Sequence, residues 1–150
     1  MTGALGRLVA MLGILLLIQL IPYGRNHTNP PMVLEPSWDR PLTRELAVRA
    51  CYDCHSNETV WPWYSNIAPS SWMIQRDVDR GRARLSFSEW NRPQRETREI
   101  ARPVQRGEMP QWYYVLMHPR VGLSSAEVQA LANGLNVSLA QGGAAPRTGN

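Results

Sequence analysis

The chain has 150 residues, 43% of them hydrophobic, with two cysteines, three histidines and a formal net charge of +4. That is enough for one small domain with a modest core, and too little cysteine for a disulfide framework or a four-ligand zinc site. All 16 basic residues are arginine, and nine lie between Arg76 and Arg106 with Asp77, Asp79, Glu89, Glu96 and Glu99 interspersed. No nucleic-acid motif accompanies them, so the run reads as a solvated, salt-bridged face and not as a nucleic-acid surface.

The first element is an apolar run from Leu8 to Ile21, broken only by Gln19. At ~1.5 Å per residue it spans about 21 Å, but counted from Gly3 to Tyr23 it reaches about 31 Å, enough for the hydrocarbon core of a bilayer. The following segment, Gln19 to Gly24, lacks the small residues of a cleavage site. Residues 1–23 are therefore expected to form an uncleaved signal anchor, a single transmembrane helix. Residues 24–41 carry four prolines and read as an extended tether, with Trp38 docking it on the domain that follows.

That domain is expected over residues 42–140. Thr43 is a plausible N-cap for a helix running into Cys51. The helix delivers Cys51-Tyr52-Asp53-Cys54-His55, a C-x-x-C-H pattern. Two thiols on one turn suit thioether links to the two vinyl groups of a haem, and the adjacent imidazole suits its iron. A redox-active or structural dithiol is the alternative reading of the same residues. A thioredoxin-like site would want strand runs, whereas Pro, Trp and Arg surround Cys51.

Trp61, Trp63 and Tyr64 follow in a proline-interrupted loop, where the two tryptophans are candidates to cover the haem edge. A helix is expected from Ser70 or Ser71 to about Gly81, with Met73 in the core. Leu85 to Trp90 reads as loop. A third helix is expected from about Pro93 to Arg106, kinked at Pro103 and stopped by Gly107. The clearest signal is the last: Ser124-x-x-Glu127 is a capping box, and Val128, Leu131, Leu135 and Leu139 follow at helical spacing. Residues 141–150 read as a disordered tail. No long alternating strand appears, so the fold class expected is all-α.

The stretch from Cys51 to Trp72, with Trp61-Pro62-Trp63-Tyr64-Ser65 at its centre, then Asp77-Val78, Gly81-Arg82 and Phe87-Ser88-Glu89-Trp90, resembles the bacterial haem-binding domain family that carries C-x-x-C-H. The similarity runs from about Pro22 to about Leu135. It implies one haem c, held covalently by Cys51 and Cys54 with His55 as proximal iron ligand. One or two arginines are candidate propionate partners. The order of helix, motif, long loop, Met loop and final helix is similar to that of a class I cytochrome c. Gly107-Glu108-Met109-Pro110 resembles the Gly-x-Met-Pro loop of many bacterial cytochromes c, which makes Met109 the expected sixth ligand. Met117, His118, His27, water or an open position are the alternatives. The function expected is a membrane-tethered electron carrier serving an unidentified redox partner protein. The alternative is a haem sensor or peroxidase-like enzyme with an open sixth site. Covalent haem attachment outside the cytoplasm would place the domain on the periplasmic side of a bacterial inner membrane.

Overall fold

A computed structural model describes residues 2–95 and 99–142. Its α-helices are α1 Thr2–Ile18, α2 Pro41–Ala50, α3 Tyr52–His55, α4 Ser70–Arg84, α5 Ala101–Gln105, α6 Trp112–Met117 and α7 Ser125–Gly142, with 3₁₀ turns at Trp63–Asn66 and Pro119–Val121. The fold is all-α, as expected. Among the described residues the only pairing of extended chain is a single bridge between Leu34 and Glu89.

Three helix boundaries differ from the expectation, each for an identifiable reason. Helix α2 starts at Pro41, not after Thr43, because proline at the first helical position has its φ preset and no N–H to leave unpaired. Thr43 is buried instead, where a Cβ added to Gly134 would meet its Oγ1 at 2.0 Å, so α2 and α7 cross at van der Waals contact. Helix α4 runs through Gly81 to Arg84. That glycine does not stop the helix but admits a neighbour, since an added Cβ would stand 2.2 Å from the Cys54 carbonyl oxygen. Helix α5 is only Ala101–Gln105, with Pro103 in its first turn, where a missing N–H costs no intrahelical bond. The expected start of that helix at Pro93 is not helical, and Glu96 to Arg98 lie outside the described residues. Gly107 follows with φ +70°, a left-handed stop that glycine adopts freely.

The N-terminal helix also ends earlier than counted. Helix α1 has 17 residues, about 25 Å at ~1.5 Å per residue, and no helix among the described residues is long and apolar enough to cross a membrane. It stops because the Gln19 amide turns to the domain: Nε2 donates to the Ala68 carbonyl and Oε1 accepts from the Ala68 N–H, both at 2.9 Å. Residues 24–40 contain no helix and lie along the domain. Val33 N–H donates to the Ser88 carbonyl at 2.8 Å, Trp90 N–H donates to the Leu34 carbonyl at 2.9 Å, and Trp38 packs on Phe87 with ring centroids 5.3 Å apart. Arg82 fastens the same segment, reaching the Thr28 carbonyl and Asn29 Oδ1, each at 2.9 Å.

The core gathers Leu46 and Ala47 of α2, Tyr52 of α3, Leu85, Phe87, Ile100, Val104 of α5, and Leu131 and Leu135 of α7. Phe87 is its hub, stacked on Tyr52 at 5.6 Å and on Trp90 at 6.3 Å. The Ser124–Glu127 capping box forms: the Glu127 carboxylate accepts from the Ser124 N–H at 2.8 Å, and the Ser124 hydroxyl accepts from the Glu127 N–H at 3.3 Å. Helix α7 continues through Gly142, and the remainder of the expected tail lies outside the described residues.

Candidate functional site

The C-x-x-C-H segment continues the line of α2 almost without a break. Cys51 N–H still donates to the Ala47 carbonyl at 2.8 Å and His55 N–H to the Cys51 carbonyl at 2.9 Å, while Cys51 itself leaves helical geometry at φ −126°. The two thiols are free of one another and partly buried. Burial pushes both up to about 12, so they are neutral thiols at physiological pH. Cys51, Cys54 and His55 all line one cavity of about 900 Å³, near the top of the ~300–1,000 Å³ range of small-molecule and cofactor sites.

The orientation of His55 is set by a segment that reads from sequence as plain loop. His55 Nδ1 lies 3.1 Å from the Leu85 carbonyl oxygen. A carbonyl can only accept, so the proton sits on Nδ1 and the lone pair on Nε2, the tautomer of a metal-ligating imidazole. Two residues on, Phe87 N–H donates to the His55 carbonyl at 2.7 Å, and the Phe87 ring meets the imidazole edge-on at 6.4 Å. The chain from Leu85 to Phe87 thus grips both backbone and side chain of His55.

Met109 lines the same cavity and packs against the core cluster. Its loop is pinned, because the N–H groups of Glu108 and Met109 both donate to the Pro103 carbonyl, at 2.9 and 3.2 Å. Met73, expected in the core, is 40% exposed and stands on the cavity wall, as does Met117. Arg76, Arg80, Arg84, Arg95, Arg102 and Arg106 also line it. Asp77 neighbours Arg76 at 3.6 Å, Glu99 neighbours Arg102 at 2.8 Å and Glu108 neighbours Arg106 at 3.8 Å.

Part of the remaining wall is phenolic. His118 Nδ1 is 3.2 Å from the Tyr114 carbonyl oxygen, so it carries the proton, and Nε2 then accepts from the Tyr64 hydroxyl at 3.0 Å. Both nitrogens of His118 are engaged. Tyr114 donates its hydroxyl to Asp53, inside the motif, and Tyr113 donates to Asp77 at 2.8 Å. Burial, then the bond to Asp77, pushes Tyr113 up to about 12. Burial and Asp53 push Tyr114 higher still.

Of the residues singled out from sequence, Cys51, Cys54, His55 and Met109 come together on one cavity. Trp61 and Trp63 do not join them. Trp61 stacks on His27 at 4.7 Å and donates to Asn29, while Trp63 is 75% exposed, edge-on to Tyr64. It is Tyr64, the residue after Trp63, that reaches the cavity. His27 is turned to Ser65, its Nε2 2.9 Å from the hydroxyl. Sequence reasoning missed the grip of Leu85 and Phe87, the glycine contact at Gly81, and the tyrosines of α6. A usable signal for the first was the alternation of Leu85, Phe87 and Glu89 with serines, which puts two apolar residues on one side of an extended segment.

Among the described residues no group of three or more His, Cys, Asp and Glu is placed to hold a metal ion by itself. The site suits a large flat cofactor that brings its own metal: it is roomy, walled by apolar, phenolic and arginine side chains, and offers one oriented imidazole, two thiols and three thioethers, of which that of Met109 stands on the pinned loop. That defines a small helical cofactor-binding domain. The chain belongs to the haem-binding domain family, which matches residues 13–137, and haem is its ligand. No curated protein and no solved structure matches the chain.

Proposed function

We propose that the protein carries one haem c, bound covalently through Cys51 and Cys54, and works as a membrane-tethered electron carrier in the periplasm. The observation that carries this reading is the convergence of Cys51, Cys54, His55 and Met109 on one cavity, with the imidazole held in the ligating tautomer. Haem supplies the one-electron chemistry, an iron that cycles between ferrous and ferric states. The residues of the chain hold and tune it. His55 presents Nε2, and the Leu85 carbonyl fixes the ring and makes it a stronger donor. Met109 presents a sulfur that favours the ferrous state. The arginines of the wall offer bidentate partners for the two propionates.

His118 is unsuited to the sixth position because Tyr64 and the Tyr114 carbonyl occupy its two nitrogens. Helix α1, with Arg7 able to snorkel, is the proposed anchor in the bacterial inner membrane. The test is a reduced-minus-oxidised spectrum of the membrane fraction, with and without carbon monoxide, after co-expression with a c-type maturation system. A c-type spectrum unchanged by carbon monoxide supports the carrier. A spectrum that carbon monoxide shifts at once would indicate an open sixth site and favour the sensor or enzyme reading. Haem extracted by acid-acetone would overturn covalent attachment.

A further inference from the structure

The end of α1 is not joined to the domain by a loose linker. The Gln19 amide pairs with both sides of Ala68, Arg25 reaches back to Gln19 Oε1 at 3.1 Å, and Tyr23 donates to Asp79 at 3.3 Å. The segment that the clamp holds carries exposed apolar side chains, and a hydrogen bond joins it to a second such segment. Ile67, next to Ala68, is 45% exposed; Trp63, one turn earlier, is 75% exposed. The Tyr64 hydroxyl then bridges to His118, at the end of α6, where Leu116 is 70% and Met117 56% exposed. One turn back along that helix stands Trp112, again 75% exposed. Helix α6 has no buried residue at all.

Five large exposed apolar side chains, on two segments joined by the Tyr64–His118 bond, exceed the scattered apolar residues of an ordinary surface. Two are tryptophans, the residue enriched where protein meets the polar edge of a bilayer, since its ring is flat and apolar but carries an N–H for water or headgroups. We infer that the strip of Trp63, Ile67, Leu116 and Trp112 rests in the headgroup region of the same phospholipid bilayer that holds α1, so that the haem cavity, walled by Tyr64 and Met117, lies at the membrane surface. This rests on the reading of α1 as an anchor. Bilayer is favoured over a protein partner because the strip begins where the apolar helix ends. A surface fixed there meets lipid without any encounter.

The experiment uses the full haem-loaded chain in phosphatidylcholine vesicles doped with a phospholipid bearing a photoactivatable diazirine near the headgroup, followed by digestion and mapping of lipid adducts. Adducts are expected on the peptides containing residues 60–67 and 112–117 as well as on α1. Trp63→Ser with Trp112→Ser should cut the domain adducts severalfold, with retention on the vesicles after carbonate washing and the haem spectrum unchanged. Leu116→Gln provides a second variant with the same expectation. Adducts confined to α1 would overturn the docked strip and leave the anchor standing. Adducts on the strip alone, with the protein released by carbonate, would support the strip and refute the anchor. Loss of vesicle retention without adducts anywhere would refute both. Cross-links between the 60–67 peptides of two copies, in place of lipid, would overturn the bilayer as occupant.

Discussion

His55 and Leu85 are 30 positions apart in the chain, yet the imidazole Nδ1 donates to the Leu85 carbonyl at 3.1 Å. The carbonyl belongs to the backbone, so no side-chain substitution removes it. It is held in place by Leu85 and Phe87, 5% and 1% exposed, whose packing fixes the segment from below. Orientation of the His55 imidazole is therefore a property of the core.

Phe87→Ala should act on stability and site together. Removing a fully buried aromatic costs on the order of 3–5 kcal/mol, and the His55 grip loosens with it. Denaturant unfolding should show the loss. Where the variant still folds, a changed ferric spectrum should accompany it, and an unchanged spectrum would show that the grip does not depend on this ring.

Cys51→Ala or Cys54→Ala should each leave a single thioether, and the double variant none. Haem staining after denaturing electrophoresis, with intact mass, should show the linkage persisting in the singles at reduced yield and vanishing in the double. Full retention of haem mass in the double variant would refute thioether attachment.

Met109→Ala should open the iron to carbon monoxide, remove the charge-transfer band of thioether-ligated ferric haem, and lower the potential. His118→Ala should leave the ligand field alone, because its nitrogens serve Tyr64 and Tyr114. The reverse pattern would assign the sixth position to His118.

Gly81→Ala should be far worse than an ordinary helix substitution, although alanine is the better helix former. The new methyl would stand 2.2 Å from the Cys54 carbonyl oxygen, a backbone atom with nowhere to go. Overpacking of this kind costs about 1–3 kcal/mol, and α4 must move off the motif. Calorimetry should show a lower Tm and haem loading should fall. A Tm equal to wild type would mean that α4 and α3 are not in contact at Gly81.

The capping box sets an acid limit. The Ser124 N–H, then Arg49, holds Glu127 down to about 2 from its ordinary 4.5. A depressed carboxyl stabilises the fold fully above its unfolded value, and the contribution fades as pH falls from about 4.5 toward 2. The Tm difference between wild type and Glu127→Gln should thus be largest near neutrality and shrink across that window.

What was legible in the sequence was whatever rests on local periodicity and short spacing. The capping box at Ser124, the stop at Gly107 and the turn that groups Cys51, Cys54 and His55 need only neighbours, and each stands where expected. The misreadings at the site involve partners distant in the chain, whereas those at Pro41 and Pro103 are misplaced helix starts. Gly81 reads as a stop because glycine usually marks one, and only the Cys54 carbonyl explains it as a contact. Trp61 and Trp63 look like haem cover because they are large and close in sequence, but Trp61 stacks on His27, Trp63 is exposed, and Tyr64 lines the cavity. Pro103 suggests a kink in a long helix, and instead it opens a short one.

Between Gln19 and Gly24 the chain is a gauge block. One end is set by the amide on Ala68, and the other by Tyr23 on Asp79 and by Gly24, where an added Cβ would meet the Ser71 carbonyl oxygen at 2.3 Å. A residue inserted upstream, within α1, would merely rotate the part beyond it by about 100°, and the domain would not notice. A residue inserted between Gln19 and Gly24 has no such freedom and must break one fastening or the other. Natural variation in length at this end of the chain should therefore accumulate before Gln19 and stop there.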